Sequence, residues 1–231
     1  MTVCDSGRTL RLVGHLVLIA GGSASGKSTI AAQVRERFAH ARVWVMSHDE
    51  YYRDVSQLSG EDLTRHNFDH PDALDHARLV SDVTALLAGK RITLPRYDYV
   101  THARSESADA VGPLDMLIVE GIFALHYEEL VKLAGLRMYV EADADLRLAR
   151  RLRRDLRERG FGLDEALDNY LEKVRPMHDA FVEPSRRRAD LIVPGDRPAD
   201  GALRMLDGYL LNTLVEETIR ERVEADERST K

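Results

Sequence analysis

Residues His15–Ser28 read HLVLIAGGSASGKS, and the fold turns on this stretch. His15–Ala20 is a short apolar run that halts at Gly21-Gly22, the profile of a buried strand. From Lys27 to Phe38, the residues Ile30, Val34 and Phe38 recur at i, i+4 and i+8 and mark one face of a helix. Between strand and helix, Gly21-Gly22-Ser23-Ala24-Ser25-Gly26-Lys27-Ser28 satisfies G-x-x-x-x-G-K-[ST]. Glycines let such a loop turn until its backbone N–H groups converge on phosphate oxygens at a helix N-terminus. Lys27 is placed to reach the β- and γ-phosphates and the Ser28 hydroxyl to ligate Mg²⁺, with Thr29 completing the nucleotide-binding set. An accidental glycine-rich turn would lack this flanking strand and helix.

Working outward, Arg42–Met46, Asp115–Val119, Leu136–Val140 and Leu191–Val193 read as further buried strands. A helix marked by Leu79, Val83, Leu86 and Leu87 is closed by Gly89, and another helical stretch lies between the third and fourth strands. Strands alternating with helices predict an α/β fold, a P-loop NTPase-type parallel sheet flanked by helices. Arg91–Val100 (RITLPRYDYV) breaks the rhythm with more strand material, so 51–114 reads as a small β-containing insertion at the carboxyl edge of the sheet. Leu203–Val223 carries helical apolar spacing, and 1–10 and 224–231 read as frayed termini of a single domain over 1–231.

Composition sets the outer limits. The chain has 231 residues, 44% hydrophobic and 31% charged, which is enough to bury a full core. Its single cysteine, Cys4, forms no internal disulfide and suits a reducing, cytoplasmic location. A net charge of −6 argues against general nucleic-acid affinity. No apolar run approaches the roughly 20 residues of a membrane span, and no apolar segment of a secretory signal precedes the first core strand.

Two carboxylates stand at strand ends. Glu120 closes LDMLIVE, the place where such a site holds its metal. Gly121 follows it, so the second carboxylate of many motor ATPases is missing, and no N-K-x-D segment is present for guanine recognition. Asp49 lies just past the second strand, where a kinase needs a group to accept the proton of an attacking hydroxyl and to steady the metal. By position alone Asp49 serves equally well as a turn or cap residue.

Farther along come Asn67-Phe68-Asp69-His70-Pro71-Asp72-Ala73-Leu74-Asp75 and Tyr97-Asp98-Tyr99-Val100-Thr101-His102-Ala103-Arg104. They offer carboxylates for vicinal hydroxyls and rings for a base. Tyr97 and Tyr99, two apart, suit a pocket wall and a buried face equally, and a lone histidine such as His102 is more often structural. GGSASGKS, SHDEYY, NFDHPDALD, PRYDYVTHAR and IVEG, in this order, resemble the uridine–cytidine kinases from about His15 to Val193.

That resemblance implies ATP- or GTP-dependent, Mg²⁺-assisted phosphorylation of the 5′-hydroxyl of uridine and cytidine, in a homo-oligomer, commonly a tetramer. It implies Asp49 as general base, Asp69 on the ribose hydroxyls and Tyr97 and Tyr99 flanking the nucleoside. His102 would meet the pyrimidine edge, with Arg104 supporting the pocket, and Ser28, Glu120 and Asp49 would hold the metal.

Seven arginines fall between Arg147 and Arg159. Arg147, Arg150, Arg151 and Arg154 share a helical face, opposite a stripe of Leu148, Leu152 and Leu156. Arginine suits phosphate because its planar fork binds bidentately, although most charge runs are solvated faces, here with Asp155 and Glu158 as partners. The resemblance makes 143–170 an arginine-rich helical lid, with Arg151 on the nucleoside side, Arg154 and Arg159 on the ATP phosphates, and Asn169 where a substrate-binding glutamine is common. The chain departs from that family at Phe161, where a second lid arginine is usual, and at Gly195-Asp196-Arg197 after the last strand. Two other functions compete: a related P-loop kinase with a different nucleoside or sugar-phosphate acceptor, and a low-turnover nucleotide-binding regulator.

Overall fold

Parallel strands buried on both faces must be apolar along their length, because neither side reaches water. MLIVE is such a run: all five residues of Met116–Glu120 are buried. The computed structural model describes residues 3–5, 8–10 and 15–212. In chain order its strands are β1 (Val3–Asp5), β2 (Arg8–Leu10), β3 (His15–Ala20), β4 (Val43–Ser47), β5 (Ile92–Asp98), β6 (Ala103–Val111), β7 (Met116–Glu120), β8 (Leu136–Glu141) and β9 (Leu191–Pro194). The helices used below are α1 (Lys27–Arg37), α2 (Gly60–Arg65), α3 (His76–Leu87), α4 (Glu128–Leu133), α5 (Ala144–Glu158) and α6 (Leu163–Asn169).

Five strands form one sheet in the order β4-β7-β3-β8-β9, every pair parallel. This is the expected α/β class. The expected strands recur with bounds shifted by at most about a residue at most ends, and the added Ser47, Glu120 and Glu141 are polar tips that apolar counting leaves off. Ile30, Val34 and Phe38 are all buried, as the helical spacing requires. At the amino edge, Arg42 clamps Asp115 through its backbone N–H at 2.8 Å and its Nε at 3.1 Å, and Arg137 clamps Asp190 through both of the same donors at 2.9 Å. The carboxyl edge is left for the site.

Register decides what meets there. Ile19 and Ser47 both stand opposite Glu120. The loop after β3, the turn after β4 and the last residue of β7 therefore emerge at one level. Within 51–114, β5 and β6 form a separate antiparallel ribbon. Glu50 fastens that ribbon to the turn after β4, accepting the Tyr97 N–H at 2.7 Å and pairing with Arg96 at 3.1 Å.

Asp75 caps α3 by accepting the Arg78 N–H. At its other end Gly89, at φ +75°, turns the chain so that the Gly89 and Lys90 N–H groups return to the Leu86 and Ala85 carbonyls. After α6 the helical path runs through two π-helical stretches, Tyr170–Val174 and His178–Val182, to Arg188. The chain divides into two units, residues 1–196 and 197–231. In the second, 200–212 are helical, with Leu203, Leu206 and Leu210 buried at spacings of three and four. The expected continuation of this helix to Val223 and the fraying over 224–231 lie outside the described residues, as do residues 1–2 and 6–7 of the other terminus.

Candidate active site

Close packing explains the glycines of the loop after β3. Gly21 has φ +147°, and a Cβ there would overlap the Val140 carbonyl and stand 2.8 Å from Ser25 Oγ. Gly26 has φ +101° and opens α1 as its N-cap. Gly22 lies against Arg147, whose Cζ would be 2.9 Å from a Cβ. Ala24, at φ +62°, shares the left-handed conformation that keeps the loop curled. Ser23 is half-buried and Ser25 fully buried, whereas Ser28 and Thr29 are exposed at the first turn of α1. The Lys27 ammonium donates to the Gly22 carbonyl at 3.4 Å, closing the loop over itself.

The acids gather around this lysine. Burial pulls Lys27 below the ordinary lysine range, against the nearby Glu120 and Asp49 carboxylates. The same burial raises Glu120, with Lys27 and hydrogen bonds from Ser47 and Ser28 opposing it and Asp49 adding to it. Asp49 is likewise raised by burial, while Lys27, Arg159 and Arg154 pull it down. Its backbone N–H donates to Ser47 Oγ at 3.3 Å, so the turn that presents Asp49 is capped by the last residue of β4. Glu120, Asp49 and the Ser28 hydroxyl form a hard oxygen donor set. A divalent cation such as Mg²⁺ fits it, since Mg²⁺ is bound by one or two carboxylates with the remaining positions left to phosphates and water. Among the described residues no three His, Cys, Asp or Glu side chains converge as a self-sufficient metal cage. The glycine after Glu120 has a steric cause: a Cβ at Gly121 would overlap His48, which is wholly buried. Burial drives His48 down to about 3, so the ring is neutral.

On the acceptor side, Asn67 accepts the Asp69 N–H at 3.0 Å in an Asx turn, and Asp69 Oδ1 lies 3.4 Å from Arg151 Nη1. Tyr52 packs edge-on to Phe68 at 5.6 Å and 5.3 Å from the Tyr97 ring. Its hydroxyl is raised well above the usual range by burial, then by Asp49 and Asp69. Phe68 stacks on His102 at 5.0 Å and 20°, and the Tyr97 hydroxyl is 3.3 Å from His102 Nδ1. His102 holds φ +55°, in the turn between β5 and β6. Tyr97 and Tyr99 differ despite their spacing. Tyr97 is buried, whereas Tyr99 lies beyond the end of β5, 48% exposed, with the Arg159 guanidinium 5.9 Å from its ring centroid. Arg104 pairs with Asp75 at 2.9 Å, so it braces the capped end of α3.

The arginine helix inverts the usual rule for a surface helix. In α5 the buried residues are Arg147, Arg151 and Asp155, while Leu156 is 40% exposed. Arg147 Nη2 approaches His178 Nε2 at 3.3 Å, and Arg150 Nη1 donates to the Gly195 carbonyl at 2.8 Å. Arg151 Nη1 donates to Ser23 Oγ at 3.0 Å, joining this helix to the phosphate loop. Arg154 is lowered from the ordinary arginine range by burial first and then by the neighbouring Arg159 charge.

The structure thus brings Lys27, Ser28, Asp49, Glu120, Asp69, Arg151, Arg154 and Arg159 around one edge of the sheet. Asn169 ends α6, half-buried, and makes no side-chain hydrogen bond among the described residues. Sequence reasoning passed over Tyr52, Phe68, Arg150 and Asp155 as site residues. Tyr52 and Phe68 stood inside the quoted SHDEYY and NFDHPDALD segments. Asp155 had only its spacing from the arginines as a signal.

A parallel sheet with this loop at its carboxyl edge, and acids and arginines around it, defines a P-loop phosphotransferase. The family model of the phosphoribulokinase / uridine kinase family matches residues 16–200, and the chain belongs to that family. The uridine kinase of Chloroflexus aggregans is 44% identical over 180 residues, covering 78% of this chain and 86% of its own length. That of Lactobacillus helveticus is 42% identical over 200 residues, covering 86% of this chain and 95% of its own. The phosphoribulokinase of Rhodobacter spheroides shares the fold at a TM-score of 0.57, with 14% identity, 79% of this chain and 70% of that one.

Proposed function

We propose that this enzyme transfers the γ-phosphoryl group of ATP, or of GTP, to the 5′-hydroxyl of uridine and cytidine. One observation carries the reading: Asp49 follows by two residues Ser47, the partner of Glu120, and its charge is felt by Lys27 of the phosphate loop and by Tyr52, which packs on Phe68 and Tyr97. The two relatives named above, both uridine kinases, support the acceptor class.

In this reading the backbone N–H groups of Gly21–Thr29 and the Lys27 ammonium bind the phosphates. Asp69 accepts hydrogen bonds from the ribose hydroxyls and the rings hold the base. Asp49 takes the proton of the 5′-hydroxyl as its oxygen attacks. Its surroundings suit a base, since burial raises its proton affinity while Lys27 and the arginines keep it ionisable. Arg151, Arg154 and Arg159 face the charge that spreads over the transferring group. Mg²⁺, when held by Ser28 and Glu120 with Asp49 beside them, supplies neutralisation of the phosphate charge. The insertion over 51–114 carries the acceptor and 143–170 closes over it. We extend the reading to a cytoplasmic homo-oligomer, tetrameric as in the kinases the sequence resembles, which light scattering of the purified chain tests.

The deciding experiment is an ADP-release assay with Mg·ATP against uridine, cytidine, adenosine and no acceptor, run with Asp49→Asn alongside. Release dependent on uridine and cytidine, falling about 10²–10⁴-fold in the variant while ATP still binds, is the expected outcome. Release indifferent to acceptor, or unchanged in Asp49→Asn, refutes the reading.

A further inference from the structure

One buried carboxylate organises the arginine helix. Asp155 is 1% exposed. Its Oδ2 accepts Arg151 Nε at 3.1 Å, its Oδ1 accepts Arg154 Nε at 3.1 Å, and Arg159 Nη1 lies 3.5 Å from Oδ1. Its backbone carbonyl also accepts the N–H groups of Arg159 and Phe161 at 3.3 and 3.2 Å, where α5 ends. A buried carboxylate is expensive without partners and a buried guanidinium equally so. Here one acid serves three cations beside the phosphate loop.

The choice of nitrogens matters more than the charge count. Both close contacts use Nε, the inner edge of the guanidinium fork. This orients each fork by its Nε edge and leaves the opposite edge, with Nη1, free for other partners. For Arg151 that outer nitrogen reaches Ser23 Oγ at 3.0 Å and Asp69 Oδ1 at 3.4 Å, so it touches the phosphate loop and the acceptor side at once. For Arg154 the outer nitrogens make no hydrogen bond among the described residues. We infer that Asp155 is a positioning residue for the phosphoryl-transfer site: by holding the Nε edges of Arg151 and Arg154 it aims their terminal nitrogens at the transferring phosphate and keeps Arg159 within reach. The inference rests on the function proposed above.

Asp155→Asn tests it with little change of volume. An amide offers one acceptor oxygen where the carboxylate offers two, and its NH₂ faces an Nε–H donor to donor. Turnover with uridine should fall on the order of 100-fold, the scale of an ångström-level misplacement of charge-stabilising groups. Thermal unfolding of the same variant reports whether the fold survives. The discriminating readout is a double-mutant cycle. In the Arg154→Ala background the Asp155→Asn loss must shrink, because the group it positions is gone. An equal loss in both backgrounds means that Asp155 merely holds α5 together, and overturns the inference.

Should Asp155→Asn fail to fold, Arg154→Lys decides. Lysine keeps the charge but has no Nε for Asp155, so its turnover should match Arg154→Ala, and near wild-type turnover overturns the inference. Mg·ATP affinity is measured calorimetrically on every protein. A wild type that binds nucleotide yet phosphorylates neither nucleoside fails the functional reading alone. The effect of Asp155→Asn, or of Arg154→Lys if that variant alone folds, on Mg·ATP affinity then decides this inference, with loss supporting it and no change overturning it.

Discussion

Gly195 offers a quantitative test of how tightly the nucleotide site is built. A Cβ placed on it would overlap the Ser25 carbonyl oxygen outright and stand 2.7 Å from Val140 Cγ1. Real Cβ atoms essentially never come within 3.0 Å of a neighbour, so Gly195→Ala must drive the loop after β9 and the phosphate loop apart by a distance on the order of 1 Å. Neither wall yields cheaply. The Gly195 N–H donates to the Glu141 carbonyl at 2.7 Å, its carbonyl is held by Arg150 at 2.8 Å, and Ser25 is fully buried. A displacement of that size within a phosphate site costs on the order of 100-fold in rate. The assay is steady-state kcat/KM for Mg·ATP at saturating uridine, with the thermal midpoint recorded beside it. Gly208→Ala is the control: it lies in the helix over 200–212 with nothing within 4 Å of the added methyl. That exchange should leave kinetics unchanged and stabilise by about 0.5–1 kcal/mol. A Gly195→Ala enzyme with wild-type kcat/KM would refute the steric argument, because the loops would then not be locked together.

Asp75→Ala should cost about 1–2 kcal/mol of stability in urea titration, since it removes the cap of α3 and the partner of Arg104 together; a change below about 0.5 kcal/mol contradicts the cap. Asp54 is held down to about 2, first by the Arg104 N–H and then by Ser56, against a usual 3.8. A depressed carboxyl stabilises above its unfolded value and loses that contribution as pH falls through its folded one. Wild type should therefore lose stability between pH 3.8 and about 2, and Asp54→Asn should flatten that part of the acid limb in chemical denaturation. Phe161→Arg should raise kcat, up to the roughly 2–4 kcal/mol that one charge-stabilising donor supplies. An unchanged or lower rate would count against the account that Phe161 replaces a working lid arginine.

What could be read ahead of the structure was what the chain specifies locally. The strand–loop–helix of His15–Arg37 needs no distant partner to declare itself, and continuous apolar runs located β7 and β8, which are buried on both faces, and the more open edge strands β4 and β9. β6 was not legible: Arg104-Ser105-Glu106 carries no apolar alternation, and the strand exists because it pairs with β5 from Ile92↔Val111 to Asp98↔Ala103. The helical path from Tyr170 to Arg188 was missed for a different reason. Two π-helical stretches and two prolines, Pro176 and Pro184, spoil the 3.6-residue period on which such readings depend. The true start of α3 at His76 was hidden because its first turn is set by the Asp75 carboxylate and not by apolar spacing.

The site was legible in its parts and opaque in its electrostatic order, and α5 shows why. Spacing correctly placed Arg147, Arg150, Arg151 and Arg154 on one face, yet hydropathy assigns such a face to water. The structure instead buries Arg147, Arg151 and Asp155 and leaves Leu156 exposed. That arrangement is stable only if the cations find partners: Arg147 has the Ala142 carbonyl and His178, while the acids near Arg151 and Arg154 are partly committed elsewhere. Glu120 and Asp49 lean on Lys27, and Asp69 is shared with Arg151. Asp155 is the one buried acid that Arg151, Arg154 and Arg159 share, and it gathers them beside a loop shaped to cradle phosphate. A helix that hides its charged side from solvent in this way has the complementarity of a site completed by an anionic ligand. The burial that defeated the hydropathy rule is thus itself the argument for phosphate binding.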